Sequence, residues 1–518
     1  MKANTFIKAT FVAINMLVAM LSKGQITFYE DTTITLEPHI PPGSEMPHTT
    51  TTTLDSNEVK LVYWIHGLSG GFESWSHVRN VTDYQPSWDT IGDYPARKSQ
   101  GLCIDYSGKE DDNIIYIPNE VSNQIYSWLV PASGRDTMNH AHSFAIAHSQ
   151  GGIVARALRY RQLDPNDSLP TYFNGLATFG TPHGGAEIIN SSHPNNGTAI
   201  DWLTDGCARL GAAEIQNVLN NKWLLDVLVS NQALQDLSMQ VCTSFVGRMV
   251  LPVLISSIRK PCSADLAPSS PLLQNLTTTA AQDTAYPVVV FYGVEQEPVL
   301  WRLVHSMTYT KDNSLSTSIL FNDPFGLTED DELPAEINNM YWAYRGEEAK
   351  YRDYESRLRK WYYWAAAIIP GIIATVTAND CREKANTYQN AHLWLGNANL
   401  VWKRLIGARY DTIYNNGYEC YCHDQLLPNL VATPAQCVSP YGNSNTCYTV
   451  PSFVQHTIDK QNDGVVTAAS QTAYPNAVEY VKMKDTNHMQ ERNCDETKNA
   501  LNLLFEGEYG DQFYLNKK

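Results

Sequence analysis

Positive charge is scarce in this chain. Its 518 residues hold 37 Lys and Arg against 54 Asp and Glu, a formal net charge of −17, and no basic run interrupts the excess. Nucleic acid and anionic lipid headgroups are therefore poor partners, because both are bound through clustered cations. Long apolar runs are scarce as well. Ala9 to Leu21 is too short to cross a bilayer, and the uncharged stretch from Trp361 to Ala378 reaches only the lower limit for a span. Pro370-Gly371 at the centre of that stretch argues further against a continuous transmembrane helix, so no stable membrane span is expected.

The chain starts Met1-Lys2, continues through the apolar run to Leu21 and reaches Ser22-Lys23-Gly24. A basic start, a short apolar core and small residues at the cleavage position predict a signal peptide over residues 1–24, and a secreted or periplasmic protein. Ten cysteines, an even number, fit an oxidising compartment. Cys420, Cys422, Cys437 and Cys447 crowd into one loop. Cys420-Tyr-Cys422-His423 has a metal-like look, but irregular spacing in a secreted chain favours disulfides, whose pairing stays open.

The stretch around which the chain is organised is Phe144-Ala-Ile-Ala-His-Ser-Gln-Gly-Gly152, which runs into a helical pattern from Ile153 to Tyr160. A buried strand, a serine flanked two positions away by Ala147 and Gly151, and then a helix spell a nucleophile elbow. Such a turn lifts the Ser149 hydroxyl above the sheet and leaves the amide of Gln150 free to donate to an oxyanion. Upstream, Val59 to Ile65 reads as a central parallel strand ending in His66-Gly-Leu-Ser-Gly-Gly71, where the amide of Leu68 is the second oxyanion donor.

Further strands are predicted at Asn113 to Pro118, Phe173 to Phe179, Pro287 to Val294 and Ala477 to Met483, with helices at Val121 to Val130 and Glu496 to Phe505. Strands alternating with helices imply a parallel sheet, so the fold class is α/β. Between the strands lie a helical block (Ala212 to Leu219, Lys222 to Asp236, Val246 to Ile258) and a longer insertion that opens with a charged helix, Ala335 to Arg359. The resulting divisions are a signal peptide (1–24), an extended segment (25–58) and the first part of the core (59–190). A helical cap (191–284), one core strand (285–300), a cap or lid insertion with the Cys-rich loop (301–451) and the last part of the core (452–518) follow.

Near the end, Gln461-Asn-Asp-Gly-Val-Val466 makes an acid turn, and His488 stands in the loop after the next strand. Ser149, Asp463 and His488 then follow the order Ser, Asp, His along the chain. Glu295, at the end of its own strand, is a rival acid. His456, Asp459 and His183 are weaker rivals, since the base should come from the loop after the last strand.

These blocks resemble the secreted bacterial triacylglycerol lipases and the inositol-deacylase-like lipases of the α/β-hydrolase fold. The resemblance rests on Ile65-His-Gly-Leu-Ser-Gly70, Ala147-His-Ser-Gln-Gly-Gly152, Phe179-Gly-Thr-Pro-His-Gly-Gly185, Asn462-Asp-Gly-Val-Val466 and Asn487-His-Met-Gln-Glu491. It implies a serine carboxylic-ester hydrolase with the triad Ser149, Asp463 and His488, oxyanion amides at Leu68 and Gln150, and no cofactor. Many such lipases bind a structural calcium through an aspartate two residues after the histidine. Gln490 stands there instead, so no metal is expected. The implied partner is an ester or lipid substrate, met in solution or at an interface. Transfer of the acyl group to an alcohol, deacylation of a non-glyceride ester and a silent binding role are the alternatives. Trp361 to Ala378 reads as cap core, mobile lid or membrane-contacting helix, and oligomeric state is not written in these residues.

Overall fold

Lys60-Leu-Val-Tyr-Trp-Ile65 is apolar on both faces, and both faces are covered. In the computed structural model, which describes residues 60–75, 78, 99–129, 142–167, 169–190, 192–193, 197–220, 258–308, 335–364, 368–422, 425–426, 431, 433–437 and 447–515, this segment is the fully buried strand β1 (Lys60–Ile65). It pairs in parallel with β2 (Ser99–Ile104) on one side and β3 (Phe144–His148) on the other. Beyond β3 come β4 (Leu176–Phe179), β5 (Val288–Val294) and, at the edge, the late strand Glu479–Lys484. All six are parallel. The signal peptide, the extended segment 25–58 and the predicted helices from Lys222 to Asp236 and over most of Val246 to Ile258 lie outside the described residues.

Strand alternation sorts the core into two layers. Leu61, Tyr63, Ile65, Ala145, Ala147, Val288 and Val290 face helices α1 (Ile117–Leu129), α2 (Gln150–Leu163) and α4 (Pro271–Gln282). Val62, Trp64, Phe144, Ile146, Val289 and Phe291 face the terminal helix Asp495–Phe505 and the tail residues Phe513 and Leu515. Burial on both faces is what the near-continuous apolar strands require. Lys60 closes the lower end: its amine, nearly buried, donates to the carbonyl of Tyr514 at 2.9 Å, and burial lowers its pKa to about 7.

A third core lies off the sheet. Trp202 and Leu210 of α3 (Ala199–Asn220), Trp301 and Leu303 of α5 (Val299–Thr308), Tyr344 and Tyr351 of α6 (Ala335–Trp364), and Tyr388, Trp394 and Trp402 of α7 (Ile368–Leu405) pack together. The last two helices form an antiparallel hairpin: Tyr351 stacks on Tyr388, Glu355 pairs with Arg382, and Arg359 reaches Asn379. At the inner end of this hairpin the Trp402 indole donates to the carbonyl of Gly464 at 2.7 Å. A ribbon follows, β6 (Arg409–Cys422) against β7 (Cys447–Asp459), antiparallel and tied at its far end by Cys420–Cys437 and Cys422–Cys447. The core edge strand Glu479–Lys484 is β8, and Asp495–Phe505 is α8.

Several expectations change. Asn113 to Pro118 is not a strand: Ile114–Tyr116 is a single 3-10 turn, and Pro118 sits in the first turn of α1, where its fixed φ and missing donor are tolerated. The Pro271–Gln282 helix belongs to the sheet layer, not to a cap. The return to the core falls at Lys460 rather than 452, because Ser452 to Asp459 lies in the ribbon. Trp361 to Ala378 is not one helix but is divided between the end of α6 and the start of α7. Ala378 lies about 36 Å along α7 from Trp402, at 1.5 Å per residue, so the run is at the opposite end of the hairpin from the acid turn. Its side chains from 361 to 374 lie outside the described ones. Among the described residues no helix is long and apolar enough to cross a membrane.

Candidate active site

The sheet order β8-β5-β4-β3-β1-β2 reverses direction between β1 and β3. In parallel sheets that switch point opens a crevice at the carboxyl ends of the strands. Ser149 stands there, between β3 and α2, with φ 52° and ψ −126°. This is a strained conformation for a residue with a side chain, and it is the geometry the elbow pattern predicts. Gly151 is required by close approach: a Cβ there would lie 2.3 Å from the carbonyl oxygen of His66. The elbow and the His66-Gly67 turn therefore touch. Tyr106 joins them from β2's side, its hydroxyl donating to His66 O at 2.6 Å and lying 3.3 Å from Gln150 Oε1.

The three residues predicted as a triad come together. Ser149 Oγ lies 2.9 Å from His488 Nε2, and His488 Nδ1 lies 2.7 Å from Asp463 Oδ2. Asp463 is wholly buried, and its other oxygen accepts from the amides of Val465 at 2.8 Å and Val466 at 2.6 Å. Gly464 makes this tight turn possible at φ 93°. The His488 amide donates to Asp463 O at 2.7 Å, so the two loops are joined through backbone as well. Leu68 and Gln150 occupy the two turns beside the serine, Gln150 as the first residue of α2.

The rivals are elsewhere. Glu295 forms a buried pair with Arg302 at 2.9 Å and accepts from Asn487 Nδ2 at 2.9 Å, so it anchors the histidine loop rather than the histidine. His183 is held on both ring nitrogens, 3.1 Å from Arg156 Nη1 and 3.1 Å from Thr178 Oγ1, and burial keeps it neutral by lowering its pKa well below the ordinary value. His456 is exposed on the ribbon, and Asp459 pairs with Lys403 at 2.9 Å. Gln490, buried, accepts from the Asn487 amide at 3.0 Å and so braces the loop.

Two site residues escaped the sequence reading. His148 Nε2 lies 2.8 Å from His488 O, and its burial, with His488 beside it, lowers its pKa well below the usual value. A neutral His148 thus donates to the backbone of the histidine loop. The second is Glu491, wholly buried, with Oε2 3.6 Å from His488 Nδ1 and Oε1 accepting from the Gly293 amide. Gly180 leaves room for it, since a Cβ there would lie 1.8 Å from Oε2. Burial first, and then the charge of Asp463, hold the Glu491 carboxyl well above the ordinary carboxyl range. The carboxyl is thus biased toward its protonated form, packed among Asp463, His488 and His148. Nothing local in Met489-Gln-Glu491 announces this, because Gly293, Gly180 and His148 reach it from far along the chain.

An acid whose pKa is raised by folding contributes fully below its ordinary value of 4.5, and that contribution is lost as pH climbs through the folded value. Glu491→Gln keeps an acceptor for Gly293 without an ionisable proton. Its Tm is expected to decline less between mildly acidic and alkaline pH than that of the native chain. Parallel melting curves for the two proteins across that range would mean that Glu491 is already ionised.

No family model matches the sequence, and no curated protein matches it. Solved structures that align with it include a peroxisomal α/β-hydrolase of Saccharomyces cerevisiae, at 13% identity over 49% of this chain and 69% of that one, with a TM-score of 0.25. The haloalkane dehalogenase DbeA of Bradyrhizobium elkani aligns at 14% identity over 46% and 74%, with a TM-score of 0.23. EstA of Clostridium botulinum aligns at 14% identity over 50% and 66%, with a TM-score of 0.24. The chain's own six-stranded parallel order, with a strained serine after β3 and an acid and a histidine on later loops, is that of an α/β-hydrolase fold.

Proposed function

We propose that the chain is a serine hydrolase that cleaves carboxylic esters through an acyl-enzyme. The observation that carries this reading is the continuous hydrogen-bonded path from Ser149 Oγ through both nitrogens of His488 to Asp463. In that role Ser149 Oγ attacks the ester carbonyl while His488 Nε2 takes its proton, and Asp463 stabilises the imidazolium without taking the proton itself. The carbonyl oxygen becomes an oxyanion, received by the amides of Leu68 and Gln150, each worth on the order of a hundredfold or more in rate. Collapse breaks the bond to the leaving alkoxide, to which His488 returns the proton. Water, activated by the same histidine, then releases the acid and restores Ser149. The leader-like residues 1–24 support secretion or export as part of the same proposal.

The test is a fluorophosphonate probe on the purified full-length chain. A single adduct on the peptide carrying Ser149, with parallel loss of activated-ester turnover, is the expected result. An adduct elsewhere, or none on a protein folded by circular dichroism, would overturn the reading. A chain-length series of esters then separates short-chain esterase from lipase.

A further inference from the structure

The amide of Leu68 is useful only if its peptide is aimed. Two groups fix the preceding peptide: Gly67 O lies 2.7 Å from His66 Nδ1 and accepts from the Gly70 amide at 2.9 Å. In a planar trans peptide the N–H of Leu68 points opposite to that carbonyl. His66 is itself set for the task. Its Nε2 accepts from the Tyr106 amide at 3.1 Å, its ring stacks on Tyr106 with centroids 4.1 Å apart, and burial lowers its pKa. The proton therefore resides on Nδ1, facing Gly67 O.

The peptide after Leu68 needs a separate anchor, because Ser69 adopts φ 56°, a left-handed value that is costly for a residue with a Cβ. The anchor comes from outside the turn. Glu110 Oε1 accepts from the Ser69 amide at 2.6 Å, on a side chain that is 1% exposed. A carboxylate so buried requires a counter-charge. Lys260, on the segment that enters the short helix Pro261–Ala264, supplies it: its amine pairs with Glu110 Oε2 and donates to Ser69 Oγ at 3.0 Å. The Cys262 amide, two residues on, donates to Glu110 O at 3.4 Å, which ties the same segment to the same residue a second time.

We infer that Glu110 and Lys260 form a positioning pair for the oxyanion turn, so that the chain between α3 and α4 supplies the cation that holds Leu68 in register with Ser149. The effect on rate rests on the proposed function; the hold on the turn does not. Neither residue touches the reacting atoms. Their contribution falls on the orientation of one donor, which acts on the oxyanion more than on the bound ester.

The experiment compares Glu110→Gln, Lys260→Met and Lys260→Arg in the full-length chain by ester kinetics and by hydrogen exchange of residues 66–70. In the first two variants kcat is expected to fall by roughly 10- to 100-fold, as misplacement of a donor does, with KM little changed. Exchange over 66–70 should accelerate while that of 144–152 stays native, and Lys260→Arg should recover most of both losses. Native kcat together with native exchange in Glu110→Gln and Lys260→Met would overturn the inference. Should either single variant fail to fold, the Glu110→Gln/Lys260→Met double variant replaces the ion pair by neutral groups of similar size and carries the same readouts. A native chain that hydrolyses no ester counts against the proposed function, and exchange over 66–70 then decides the positioning pair alone.

Discussion

Ser149→Ala is expected to abolish ester turnover, a loss on the order of a millionfold in kcat, while the protein melts close to the native temperature. The hydroxyl's bond in the site is the 2.9 Å contact with His488, and the Cβ that sits against Gly67 is kept by alanine. Alanine keeps the same Cβ at φ 52°, so the strain of the turn is neither relieved nor increased. Ser149→Gly provides the control: it should be equally inactive but more stable, since glycine adopts that φ without cost. Purified Ser149→Ala turning over an activated ester at the native rate would remove the serine from the mechanism.

Asp463→Asn is expected to cost on the order of 10⁴ in kcat. The reason lies in the two amides that already claim one oxygen. Val465 and Val466 donate to Oδ1, so an asparagine must keep its carbonyl there and turn its NH₂ toward His488 Nδ1. That nitrogen would then have to accept, the ring proton would move to Nε2, and the histidine could no longer take the proton of Ser149. Glu295→Gln should behave differently. Its kcat is expected to stay near native, but the buried ion pair with Arg302 loses its negative charge, and breaking such a pair costs up to about 3–5 kcal/mol. Steady-state kinetics and thermal melts on both variants check the contrast. The reverse order, a slow but stable Glu295→Gln beside a fast Asp463→Asn, would give the acid role to Glu295.

The parts of the site built from local turn chemistry were legible in the sequence. A strand-serine-helix turn, a His-Gly turn after a central strand, an Asp-Gly turn and a histidine in a late loop each announce themselves within a few residues. The structure brings Ser149, Asp463 and His488 to hydrogen-bonding distance. What stayed hidden depends on partners distant in sequence. Glu110 and Lys260 meet across 150 residues, and Glu491 is defined by Gly293 and Asp463 rather than by its neighbours. Mixed signals account for other differences. Ile114 to Tyr116 carries strand-forming residues, yet Pro118 makes the segment the entrance to α1. In β6 the pairing slips from Gly417↔Ser452 to Asn415↔Phe453, so a β-bulge interrupts the side-chain alternation within one long strand. The ribbon therefore looks like loop in the sequence.

The two described disulfides join residues 17 and 25 positions apart, both inside the ribbon. A cross-link acts largely by removing conformations from the unfolded chain, in proportion to the logarithm of the loop it closes. These two loops overlap and span only 420–447, so the entropy they remove belongs to the ribbon. The segments carrying Ser149, Asp463 and His488 remain topologically free of both bridges, and the buried Cys262 and Cys494 of the core layers are thiols. The order of the crevice is thus secured by packing and hydrogen bonds, and reduction of these bridges would loosen the ribbon as a separate unfolding unit while leaving the sheet's own equilibrium unchanged.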